Sequence, residues 1–117
     1  RMQMSSLSFI LHPRVMKRLS DSSQYGNEYL PNEVLGDIFN GIFVPREIPG
    51  TFKMNLQSAY VDGLIEAMDD GSYDEISRAA IFSSLNKIKN FTNSAYGNDM
   101  VKGHFDYLNW KINDALD

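Results

Sequence analysis

His12 and His104 are the only imidazoles in this chain, and they are the natural place to look for metal chemistry. A zincin-type peptidase needs two histidines four residues apart on one helix, so that both rings reach one zinc ion, with a glutamate beside the first as general base. Here the two stand at opposite ends of the chain, and neither is followed by a glutamate. A metal site would require the fold to bring both rings to one carboxylate. The simpler reading makes His12 a loop residue before Pro13 and His104 a partly buried helix residue. Cysteine is absent, which excludes thiolate zinc ligands, disulfides and a cysteine nucleophile. No serine sits in a Gly-x-Ser-x-Gly elbow, and no glycine-rich phosphate loop is present. On these residues no catalytic, cofactor-binding or metal-binding group is expected in the chain itself, and it is not expected to be an enzyme on its own.

The acidic turn Asp69-Asp70-Gly71-Ser72-Tyr73-Asp74-Glu75 invites a calcium reading because it joins two helical patterns. With Gly71 at position 6 of a twelve-residue calcium loop, Glu66 falls at position 1, Met68 at 3, Asp70 at 5 and Ser77 at 12. Met68 and Ser77 cannot replace the carboxylates required there. Helix-terminal electrostatics explains Asp74 and Glu75 more simply, since a helix N-terminus favours negative charge. Lys87, Lys89 and Lys102 read as solvated helix faces.

The last helical stretch carries the feature most open to a functional interpretation. Its core stripe is Val101, Phe105, Leu108, Ile112, Ala115 and Leu116. Met100, Gly103, Tyr107 and Trp110, spaced 3, 4 and 3, mark a second face. A helix that is apolar on two faces lies at the centre of its bundle or docks on something outside it. Trp110 is the single tryptophan, and tryptophan and tyrosine are enriched as interface anchors.

The elements that must position these residues are all helical. Met4, Leu7, Ile10 and Leu11 suggest a short opening helix over Met2 to Leu11. After His12-Pro13, residues Val15, Met16 and Leu19 make another, fading into Ser20–Gln24. Pro31 begins the next, with Val34, Leu35, Ile38, Phe39, Ile42 and Phe43 as a buried stripe, and Pro45 to Gly50 is a loop. The following helix is expected from Thr51 as N-cap to Asp69, burying Phe52, Leu56, Ala59, Tyr60, Gly63, Leu64, Ala67 and Met68. Gly63 on that stripe implies a close helix–helix contact rather than a hinge, because mid-helix glycine costs about 1 kcal/mol and needs a packing reason. Ser72 with Glu75 forms a capping box for a helix whose inner side is Ile76, Ala80, Ile81, Leu85, Ile88 and Phe91. That helix ends near Gly97, and Asn98 caps the last. The expected fold is all-α: one domain over residues 1–117, a bundle of five to six helices joined by short loops.

Bulk properties narrow the partners. The 117 residues carry a formal net charge of −4 and 43% hydrophobic residues, enough for one globular core. Six acids (Asp62, Glu66, Asp69, Asp70, Asp74 and Glu75) fall in fourteen residues with no Lys or Arg among them. Such a segment repels phosphate, so nucleic acid is not an expected partner. No stretch approaches the roughly 18 apolar residues of a membrane span. The chain opens at Arg1 with no signal-peptide pattern and reads as a fragment whose export signal would lie upstream.

Several segments, in order, resemble one family. They are Gln3 with Leu7, Leu11 and Arg14-Val15-Met16-Lys17-Arg18-Leu19; Tyr29 through Leu35; Asn55-Leu56-Gln57 with Ala59-Tyr60-Val61; Arg78-Ala79-Ala80 with Lys87 and Lys89; and His104 with Leu108 to Leu116. Together they resemble the C-terminal helical domain of the large bacterial, Bacteroidetes-type, zinc-dependent metalloproteases. Leu30-Pro31 and Thr51-Phe52 depart from that pattern at helix starts. The resemblance implies an exported, periplasmic or extracellular hydrolase. Its zinc would sit on a His-Glu-x-x-His helix in an upstream catalytic domain, which would be this domain's partner. No zinc ligand or catalytic residue carries over onto this chain. A free-standing helical protein–protein interaction module is the alternative, and a small metalloenzyme using His12 and His104 a more remote one.

Overall fold

The computed structural model describes residues 13–23, 41–70, 75–94 and 99–117. Among the described residues there are four helices and no strand: α1 Pro13–Ser23, α2 Thr51–Asp69, α3 Glu75–Ser94 and α4 Asp99–Leu116. The expected all-α class is what the structure shows. The expected helix over Met2 to Leu11, most of the one beginning at Pro31, the Ser72 capping box and the Asn98 cap lie outside the described residues. Of the Pro31 helix, Gly41 and Ile42 are helical, and Ile42 and Phe43 are buried as its stripe required.

α1 starts at Pro13, where a missing N–H costs nothing because the first helical N–H groups have no intrahelical partner. It continues through Ser20–Ser23, past the point where the polar residues suggested it would fade. Val15 and Leu19, four apart, are fully buried, and Met16 packs beside them. Packing of that stripe on α2 overrides the modest helix propensity of the serines.

α2 is the central element and touches all three other helices. Its start corrects the expected cap. Gly50 is the N-cap, with extended backbone, and its carbonyl accepts from Met54 N–H at 2.9 Å, so Thr51 is already inside the helix. Phe52 is a second correction. It is 41% exposed, because the buried stripe begins only at Leu56. From there Leu56, Ala59, Tyr60, Leu64, Ala67 and Met68 are buried as expected, but so are Gln57 and Val61. A helix covered on several sides buries a wider arc than a single 3–4 stripe describes. At its far end the Asp70 N–H bonds to Ala67 O at 3.2 Å, and the Arg78 guanidinium donates to Met68 O at 2.8 Å. Those bonds satisfy carbonyls that the helix leaves without partners.

Gly63 is where α1 and α2 come closest. A Cβ built there would lie 2.7 Å from the Val15 Cα and 3.3 Å from the Arg14 carbonyl oxygen, so only hydrogen fits. The expected close contact is therefore real. Ion pairs flank it. Arg18 donates to Glu66 through Nε at 2.9 Å and through a second nitrogen, and Arg14 pairs with Asp70 at 3.5 Å.

α3 and α4 complete the core. Ile81, Leu85 and Ile88 of α3 and Val101, Phe105, Leu108 and Ile112 of α4 are buried, with Phe91, Ala115 and Leu116 packed against them. Ile76, expected inside, is 77% exposed, since it stands in the first turn of α3, outside the packed stripe. Phe43, Tyr60, Phe91 and Phe105 form a continuous set of tilted and edge-to-face rings with centroids 5.4 to 5.9 Å apart. Such geometry adds about 0.5–1.5 kcal/mol per pair beyond simple burial. Thr92, buried in α3, bonds its hydroxyl to Lys89 O at 2.9 Å and so needs no partner from another helix.

Candidate functional site

The loop before α2 shows how the chain fixes the ends of its helices. Glu47 N–H bonds to Val44 O at 3.3 Å, with Pro45 and Arg46 between them. Pro45 supplies the fixed φ that a turn wants in its second position. Arg46 takes φ 67°, a region that L residues adopt at a cost of order 1 kcal/mol. Lys53, from the first turn of α2, holds both sides of this turn, pairing with Glu47 at 3.4 Å and donating to Gly41 O at 3.1 Å.

Gln57 and His104 join that loop to α4. The Gln57 amide nitrogen donates to Ile42 O at 3.0 Å, and its oxygen lies 2.9 Å from His104 Nε2. Because the amide N–H₂ is committed to a carbonyl, its oxygen must accept, so His104 donates from Nε2. Burial holds the His104 pKa below the ordinary histidine value, which keeps the ring neutral near pH 7. This is the partly buried helix histidine expected from the sequence. His12 lies outside the described residues. Among the described residues no group of three or more His, Asp or Glu side chains is placed to hold a metal ion.

The six-acid run does not form a bare acidic surface. Asp62 pairs with Lys111 of α4, and Glu66 and Asp70 pair with Arg18 and Arg14 of α1. The Arg18 guanidinium, hydrogen-bonded to Glu66, holds that carboxyl below the usual range and raises its own pKa in return. Two of the acids in the calcium frame, Glu66 and Asp70, are thus already engaged, and 71–74 lie outside the described residues. An open hollow of about 310 Å³ is lined by Arg14, Lys17, Arg18, Asp21 and Glu66. Its cations are matched by Asp70, Asp21 and Glu66, which leaves no excess charge to draw an anion. Lys87 and Lys102 are solvated as expected, Lys102 pairing with Asp106 one turn along, whereas Lys89 is half-buried.

α4 carries the candidate surface. Met100, Gly103, Tyr107 and Trp110 all lie outside the buried core of the described residues. Met100 is 65% exposed, Tyr107 49% and Trp110 64%, and Gly103 is exposed between them. The rings of Tyr107 and Trp110 stack at 6.3 Å with an interplanar angle of 26°, and Lys111 Nζ sits 5.2 Å from the Tyr107 ring centre. Lys111 is in turn held by Asp62, and burial together with the nearby Arg18 lowers its pKa. The aromatic pair is thereby braced from α2. Nothing lies within 4 Å of a Cβ built on Gly103, in contrast to Gly63. The arrangement is an exposed apolar patch with charged side chains at its edges.

Sequence reasoning missed Gln57 as the polar link between loop and helix, although a signal existed. Val61 and Leu64 follow Gln57 at i+4 and i+7, which makes it the head of a second buried row. The Lys111–Asp62 brace had no local signal, since its partners belong to different helices. Comparison with protein-family models, with curated proteins and with solved structures finds no match for this chain.

Proposed function

We propose that this chain is the non-catalytic helical domain of a zinc-dependent metallopeptidase of the large bacterial type it resembles. In this role it packs through α4 on an upstream catalytic domain and braces or borders the substrate cleft. The zinc and the His-Glu-x-x-His helix belong to that domain, and the parent would be an exported hydrolase, periplasmic or extracellular. The observation that carries the proposal is the Tyr107–Trp110 face of α4, an aromatic surface left exposed among the described residues.

Two measurements test this. The reading frame upstream of Arg1 should encode a His-Glu-x-x-His domain, and a start codon immediately before Arg1 would overturn the proposal. Polar substitution of Tyr107 and Trp110 should then weaken association with that domain while the helical circular dichroism stays unchanged. Unaltered association would remove α4 as the docking face. The same exposed face also supports a second reading, a free-standing helical protein–protein interaction module, and the upstream sequence separates the two.

A further inference from the structure

α4 has a glycine in its second turn that the packing of the described residues does not explain. A mid-helix glycine costs about 1 kcal/mol relative to alanine and ordinarily marks close approach of another backbone. Gly63 obeys that rule, with the α1 backbone against it. Gly103 has open space where its side chain would be, yet it lies on the same face as Met100, Tyr107 and Trp110. The missing side chain leaves a notch, with Met100 one turn before it and Tyr107 one turn after.

Charge says what fits the notch. At helical spacing Asp106 and Asp114 stand one turn before and one turn after Trp110, and Asp99 lies one turn before Gly103. All three are exposed, and only Asp106 shares its charge with a neighbouring lysine, Lys102. The protein already shows what packs on a face of this kind. At Gly63 the crossing helix α1 presents Arg14 and Arg18, which pair with the α2 acids Asp70 and Glu66 on the same side. Arginine also suits an exposed indole, since the guanidinium stacks on its face.

We infer that α4 is crossed at Gly103 by a basic amphipathic helix of the domain that docks on it. Its backbone enters the notch, its apolar residues cover Met100, Tyr107 and Trp110, and its arginines meet Asp99, Asp106 and Asp114. This rests on the docking role proposed above and adds the chemistry of the partner surface.

The test uses the full chain and two synthetic helical peptides with one apolar face in common. One peptide carries arginine at its flanking positions and the other glutamate. Trp110, the single tryptophan, reports binding directly by fluorescence. The arginine peptide is expected to bind at least about ten-fold more tightly at low salt, and that margin should shrink as salt rises. Gly103→Leu should abolish the preference while the helix content holds or increases, because leucine is the better helix former. Equal binding of the two peptides, binding of neither, or undiminished binding to the Gly103→Leu protein would overturn the inference. So would sedimentation showing a dimer that Gly103→Leu dissolves, because a second copy would then be the occupant. If the upstream catalytic domain associates through Trp110 without regard to charge, the docking role stands and only the partner chemistry fails.

Discussion

Gly63 and Gly103 stand in the interiors of α2 and α4, and the two positions do opposite things. Gly63 is buried, with the Val15 backbone so close that a methyl group has no room. Gly103 is exposed and has nothing against it. Both helices lose intrinsic stability to their glycine, yet among the described residues only α2 recovers it, through the docking of α1. The difference teaches that a helix-period pattern reports which side of a helix is apolar and leaves open what covers it. On α2 the cover is α1. On α4 the apolar side has a stacked tyrosine–tryptophan pair, a braced lysine and an open notch, none of it covered by the described residues.

That contrast can be broken most forcefully at Gly63. Replacement by valine drives carbon atoms into the Val15 backbone and should cost about 3 kcal/mol, the upper end of what overpacking does. Urea unfolding would read the loss as a lower midpoint. A midpoint equal to that of the parent would mean that α1 does not dock as described. Gln57→Leu should cost about 2 kcal/mol by the same measurement, because it strips the Ile42 carbonyl and His104 Nε2 of their buried partner. Gly103→Ala should move the other way and stabilise by roughly 1 kcal/mol, since only helix propensity changes there. A destabilised Gly103→Ala protein would show that the notch is filled from within.

Two smaller effects sharpen the comparison. The folded-state pKa of His104 is depressed, so the unfolded chain binds its proton first as pH falls. Stability should therefore decline as pH drops from the ordinary histidine value of about 6.5 toward the lower folded value, then level off for this group. His104→Gln should flatten that part of a pH–stability curve, and an unchanged slope would assign the effect to another group. Glu66, held ionised by Arg18, acts in the acid range. Its contribution is present above the ordinary carboxyl value and is lost as pH falls through the depressed one. Arg18 and Glu66 are both partly solvated, so Arg18→Ala should cost only about 1 kcal/mol or less. The smallest change is expected at Trp110→Ser, within about 0.5 kcal/mol, because its ring contributes little to the core. A large loss there would move Trp110 from surface to core.

Much of this architecture is legible in the residues themselves. Period-3.6 spacing marks Val15 with Leu19, Leu56 through Met68, Ile81 through Ile88 and Val101 through Ile112 as buried rows, because a helix puts every third or fourth side chain on one side. The same rule misplaced Phe52 and Ile76. Both are apolar residues in the first turn of a helix, where the neighbouring helices do not reach. Residue types alone also marked Met100, Gly103, Tyr107 and Trp110 as one face and His104 as a half-buried helix histidine.

Tertiary structure decided the rest, and charge is the clearest case. Six acids in fourteen residues read as a bare negative strip, but three of them, Asp62, Glu66 and Asp70, meet cations from α4 and α1. Coulomb interactions depend on distance in space, and Lys111, Arg18 and Arg14 come near only when the helices pack. Gln57 became the link from Ile42 to His104 for the same reason. The two glycines end as they began, identical in sequence terms. The sequence by itself determined that each would interrupt a strong helix former's position at similar cost, whereas only packing determined that α1 covers one and leaves the other open. Local preference is a property of a residue and its near neighbours, and what lies across from it belongs to the fold.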